Sequence, residues 1–174
     1  MPSITTLLLT ELDQEMPGTR RALERVPEGQ NEWKPHAKSM ALGYLAGLVA
    51  TMPGWIVSMI EEEQLDLAAP GRYRTLAFGS SAELVRAFDG AVGEARAAIE
   101  GASDERLVGT SWRLMMKDQV LSKQTRYEAV RVSALNHLYH HRAQLTTYLR
   151  LNEKPVPSLY GPSADEAYPG ASRS

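Results

Sequence analysis

The sequence predicts an all-α protein, a four-helix bundle with irregular crossover loops, on three observations. Apolar residues recur at helical spacing over four long stretches, clusters of turn residues separate those stretches, and little of the chain alternates with the period of two that marks a strand. A chain of 174 residues with 43% hydrophobic content can enclose a core but is short for two. Residues 1–174 are therefore expected to form one domain.

The first helix is expected from Ser3 to about Arg25. Ile4, Leu7, Leu8, Leu12, Met16 and Leu23 lie on one side of it, and Ser3 is placed as its N-cap. Val26-Pro27-Glu28-Gly29-Gln30-Asn31 ends it in turn residues, and Glu32 to Lys38 forms an irregular connector around Pro35. Ser39 is the expected N-cap of a second helix, in which Leu42, Leu45, Val49, Met52, Ile56 and Ile60 form a stripe widened by Ala41, Leu48, Trp55 and Met59. So broad an apolar face implies a central position. Pro53 predicts a kink or break near Thr51-Met52, because a proline inside a helix removes a backbone donor. The run Glu61-Glu62-Glu63 is read as a solvated helix end, frayed or extended.

Asp66 to Ser81 is expected to be a linker with Arg72-Tyr73-Arg74 exposed in its middle. A third helix opens at Ser81 and runs over Ala82 to Ile99, with Gly101 as its C-terminal signal. Asp104 to Thr125 matches neither period cleanly and is expected to be a short hairpin-like crossover or a loop. The fourth helix runs from about Arg126 to Leu151. Beyond it, residues 152–174 form a Pro/Gly/Ser-rich tail, expected to pack on or near the bundle.

The formal net charge of -2 and the lack of a Lys/Arg block give no electrostatic footprint for nucleic acid or an anionic membrane. No uninterrupted apolar stretch approaches the roughly 20 residues of a membrane span, and the amino terminus has no leader pattern, so a cytoplasmic protein is expected. Cysteine is absent, which leaves nitrogen and oxygen as the only metal donors.

Three of the four histidines, His137, His140 and His141, lie on the fourth helix. His137 and His141 are four apart, one turn from each other on one face, which is the spacing two imidazoles need to reach one ion. A helical wheel places both in the band of Val130, Ala134, Leu138, Leu145, Tyr148 and Leu149, as an inward pair. His140 falls on the flank, and His140, Arg142 and Gln144 are placed to cap neighbours or line a rim. The alternative reading is a pair of core histidines hydrogen-bonded to tyrosine or backbone groups. Two histidines are fewer ligands than a catalytic zinc site uses. His36, in the connector, is expected to face solvent.

The segment Asn136-His137-Leu138-Tyr139-His140-His141-Arg142-Ala143-Gln144-Leu145, continued by Tyr148-Leu149-Arg150 and by Pro155 to Glu166, resembles the DinB-like superfamily. That superfamily comprises bacterial four-helix-bundle proteins, including damage-inducible DinB proteins and several thiol-dependent transferases. Trp33 to Met40 and Met52-Pro53-Gly54-Trp55 resemble family segments as well. The resemblance implies a divalent metal, zinc or nickel, held by one histidine of the second helix and two on the last. The latter two correspond to His137 and His141; the position of the first is occupied here by Leu48. What it implies for function is a metal-dependent thiol transferase or hydrolase scaffold whose three-histidine site is incomplete. A non-enzymatic, stress-associated binding protein that kept the fold and an apolar pocket is the alternative. It further implies a homodimer, a small-molecule ligand or thiol as partner, and Tyr44 and Arg142 at the pocket rim. No catalytic residue is assigned.

Overall fold

Residues 2–69 and 78–167 are described by a computed structural model of the chain. The expected exposed segment Arg72-Tyr73-Arg74 lies outside the described residues. Helix α1 spans Ile4–Glu24, and its N-terminal amides are satisfied twice. Ser3 Oγ accepts from the Thr6 amide at 3.1 Å, and the Asp104 carboxylate accepts from the amides of Ile4 and Thr5 at 3.0 and 3.2 Å. The Ile4 amide is the main reason the Asp104 carboxyl is held below its ordinary range, as expected of an anion at a helix N-terminus.

The second predicted helix is broken as Pro53 requires. Helix α2 spans Leu42–Thr51, a single 3-10 turn covers Met52–Gly54, and α3 resumes over Trp55–Glu61. Its cap is Ala41 rather than Ser39, and no side chain completes it. The run Leu42–Glu61 is 20 residues long, with a mean hydropathy of 1.4 in its most apolar window, so by length and composition it could cross a membrane. The break at Pro53 hides this from a search for uninterrupted apolar runs. Here it is the central helix of the core: Leu42, Leu45, Val49, Met52 and Ile56 have no exposed surface, with α2 packed on α4 and α7.

Helix α4, Ser81–Glu100, is capped by Ser80, packs along α1, and buries Leu84, Phe88, Ala95 and Ile99. The last helical run begins with one turn, α6, at Arg126–Glu128, where Thr125 and Glu128 form a capping box. A π-helical segment, Ala129–Asn136, follows and leads directly into α7, His137–Leu151.

The expected pure four-helix bundle is incorrect. Between α3 and α4 lies strand β1, Gln64–Asp66; after the short helix α5, Asp104–Gly109, come β2, Ser111–Met116, and β3, Gln119–Thr125. They form a three-stranded mixed sheet in the order β1-β2-β3, with β1 parallel and β3 antiparallel to β2. A hairpin was one of the two readings of this segment. β1 was missed, because it is three residues long and exists through pairing with Arg113–Met115, far away in sequence. A register shift at Leu114/Met115 blurs the alternation that would have marked β2. Of the two forms expected for the acidic run it is the extended one that occurs: Glu62 has extended backbone, and the Glu63 carbonyl accepts from the Arg113 amide at 3.2 Å and feeds the chain into the sheet.

The described part of the tail lies on α1 and α7. Arg21 donates to the Ser158 carbonyl at 2.6 Å, Arg25 pairs with Glu166, and Arg150 pairs with Asp165. Gly18 of α1 leaves room for Leu159, since a Cβ there would come within 2.7 Å of its Cδ2. Asp165 is held below the ordinary carboxylate range by Arg150 and then by the Val156 amide; Glu166 is lowered by Arg25 and then by the Ser158 amide. Because the folded values are depressed, these contacts stabilise fully above the ordinary carboxylate range, about 4, and are lost as pH falls through the lowered values. Hydrogen-exchange protection of the Val156 and Ser158 amides should therefore persist at neutral pH and disappear on acidification. Asp165→Asn should weaken protection at Val156 already at neutral pH; unchanged protection would show that the carboxylate does not hold the strap.

Candidate metal centre

His141 is 8% exposed, and both of its ring nitrogens are engaged. Nδ1 donates to Gln144 Oε1 at 2.8 Å, and Nε2 lies 2.9 Å from His137 Nε2. The rings are 4.6 Å apart between centroids and inclined by 40°. The Ser133 main chain, one turn earlier, favours the charged form of His137 against the effect of burial.

The consequence is chemical. Gln144 Oε1 is an acceptor, so the His141 proton sits on Nδ1 and His141 Nε2 accepts from the protonated Nε2 of His137. The two Nε2 atoms thus converge on one point, where a cation would take the place of the shared proton. An outer partner that fixes the tautomer and leaves the other nitrogen free is the usual support of a metal-binding histidine. His137 is held below the ordinary imidazole value chiefly by burial and then by the proximity of His141. Burial is also the main cause for His141, partly offset by Gln144. Neutral imidazoles are the form a metal ion requires.

The inward pair needs correction in one respect: His141 is buried, whereas His137 is exposed at the edge of the helix band. The side of its ring is covered by Trp55 of α3, with centroids 5.7 Å apart. His140 is exposed, its ring 5.0 Å from that of His141, so it adds like-charge pressure on the pair. His36 is exposed as expected, its Nδ1 accepting from the Lys38 amide at 3.1 Å.

Arg142 is not a rim group. It is 2% exposed and turned away to α1, where it donates to the Glu15 carbonyl at 3.1 Å, Thr19 Oγ1 at 3.0 Å and Glu15 Oε2 at 2.7 Å. Tyr160 OH lies 2.6 Å away, and the guanidinium sits between the rings of Tyr139 and Tyr160. Tyr44 is 42% exposed. Gln144, expected to cap a neighbour or line a rim, is the side chain that orients His141 from three residues on, one turn away on the same face. Trp55 was read only as core, since its contact with His137 depends on how α3 meets the last helix.

The fit to a metal is that of two donors. Two nitrogens of one tetrahedral zinc ion lie about 3.3 Å apart, so the observed pair needs to open only slightly. A third donor is lacking: among the described residues no group of three or more His, Cys, Asp or Glu side chains could hold a metal ion. Leu48 is half-buried and packs against the core as hydrocarbon.

Comparison with solved structures returns the same architecture. A DinB-like protein of Bacillus subtilis superposes with a TM-score of 0.66 at 18% identity, covering 87% of this chain and 96% of that one. The chain has the DinB-like fold. A DinB-like protein of Bacillus cereus gives a TM-score of 0.66 at 17% identity, covering 88% and 95%. No family model and no curated protein matches the sequence. Within this DinB-like fold the histidine pair sits where the π segment passes into α7, with α3 alongside. π segments are frequent at functional sites, because the wider turn re-aims the residues that follow.

Proposed function

We propose that this DinB-like protein carries a reduced, two-histidine divalent-cation site on a scaffold of the thiol-transferase or hydrolase type. The observation that supports the reading is the convergence of His137 and His141 Nε2, with His141 Nδ1 committed to Gln144 Oε1. His137 and His141 would hold zinc or nickel, Gln144 would orient His141, and Leu48 replaces the third ligand. Such an ion lowers the pKa of a bound thiol or water, the chemistry a transferase or hydrolase of this kind uses. The protein's own contribution is to keep both imidazoles neutral and aimed, with Trp55 limiting how far the His137 ring can turn. With two protein donors the ion is held weakly, which favours a cation-binding scaffold over a constitutive metalloenzyme.

Calorimetric titration of tag-free protein with zinc and with nickel tests the reading. One ion per chain is expected to bind, and His141→Ala should abolish binding. Gln144→Ala should weaken it about tenfold, as loss of an orienting partner does. Absence of binding, or equal binding by His141→Ala, would favour the non-enzymatic binding protein instead.

A further inference from the structure

Where α3 and α5 meet the hairpin, a cavity of about 520 Å³ is lined by four cations and two carboxylates, Glu61 and Glu63. Two of the cations have structural work. Arg106 donates to the Ile60 carbonyl at 3.1 and 3.0 Å, and Arg126, only 5% exposed, donates to the Met59 carbonyl at 2.8 Å and to the Glu62 carbonyl. Together they finish the free carbonyls at the end of α3. The other two, Arg113 and Lys123, are directly opposite each other on β2 and β3. Neither makes a side-chain hydrogen bond or an ion pair among the described residues.

Like charges directly across a strand pair are destabilising, and here a second layer of cations lies behind them. Within that second layer the Arg126 pKa is lowered first by burial and then by Arg106, with only Glu63 opposing. Two unpartnered cations call for two negative charges on one group, which a phosphate monoester supplies and a single carboxylate does not. The hydroxyls of Thr110 and Ser111 also line the cavity, and its volume is that of a small-molecule site rather than an ion site. Glu61 and Glu63 make no ion pair among the described residues and would repel a wholly anionic ligand.

We propose that this cavity binds a small phosphate monoester. Arg113, Lys123 and the Ser111 hydroxyl hold the phosphate dianion, and the organic half presents an ammonium to Glu61 and Glu63. The site is separate from the histidine pair: Arg126 opens the last helical run, and the whole π segment lies between it and His137.

The test uses O-phosphoethanolamine and inorganic phosphate as probes, by calorimetry on the full chain in phosphate-free buffer. Phosphoethanolamine should bind saturably and more tightly than phosphate. Arg113→Gln and Lys123→Gln should each weaken both by about tenfold or more. Glu63→Gln should weaken phosphoethanolamine alone. Equal affinity for the two probes would overturn the assignment of the organic half. No saturable binding of either up to ~10 mM, or unchanged binding in the Arg113→Gln/Lys123→Gln double variant, would overturn the site. Without ligand, that double variant should melt no lower than the unmodified protein, since like-charge repulsion is relieved; a lower melting temperature would make the two cations structural and sink the proposal.

Discussion

Replacing Leu48 with histidine is expected to raise zinc affinity by about two orders of magnitude, because a third nitrogen donor completes the protein ligand set of a catalytic-type site. Two thirds of that set is already prepared. His137 and His141 aim their Nε2 atoms at one point, and both rings are kept neutral. Helix α2, which carries Leu48, packs directly on α7. Without metal the variant should lose about 1–2 kcal/mol, the cost of putting an unpartnered imidazole where hydrocarbon packed. Saturating zinc should return this and more, since a ligand at 100 times its Kd contributes about 2.7 kcal/mol to the state that binds it. Competition titrations against a chelator, with melting temperatures with and without zinc, measure both effects. Leu48→Ala is the control and should gain no affinity. If Leu48→His gained none either, α2 would not present position 48 to the pair, and the incomplete-site account would fail.

The largest single loss of stability is expected from Arg142→Met, about 3–5 kcal/mol, the penalty for removing one partner of a buried ion pair. Its guanidinium is 2% exposed, and Glu15 is 17% exposed, so water cannot replace what is lost. The substitution also removes hydrogen bonds to Thr19, which has no exposed surface, and to Tyr160 in the tail. Glu15→Gln should cost less, because the amide can still accept a hydrogen bond. In urea unfolding the double variant should be more stable than the sum of the two losses predicts, since the pair acts as a unit. Additive losses would mean that Arg142 stabilises through packing between Tyr139 and Tyr160 rather than through Glu15. Neither variant touches the histidines, so zinc affinity should remain unchanged.

The helical part of the fold was legible because its signals are local. Ser3 caps α1, Pro53 breaks the second helix, Thr125 and Glu128 open the last one, and each works within a turn of itself. The sheet was not. β1 is held by β2 across the intervening α4, and no window of sequence contains both partners. The spacing of His137 and His141 was likewise visible, but their exposures were not. Both fall inside the apolar band on a helical wheel, and the neighbouring elements decide which ring is covered. Arg142 shows the same limit from the other side: a charged residue beside that band reads as surface, and only Glu15, Thr19 and Tyr160, brought from other parts of the chain, make its burial affordable.

By itself, then, the sequence determined which stretches are helical, where they stop, and that two imidazoles share one face of the last helix, all consequences of hydrogen bonds and side-chain spacing within a few residues. Tertiary structure decided the mixed sheet, the different exposures of the two histidines, the inward turn of Arg142 and the meeting of Arg113 with Lys123. Each of these depends on a partner distant in sequence, and a charge or a lone pair is stabilised or stranded by whatever the fold places against it.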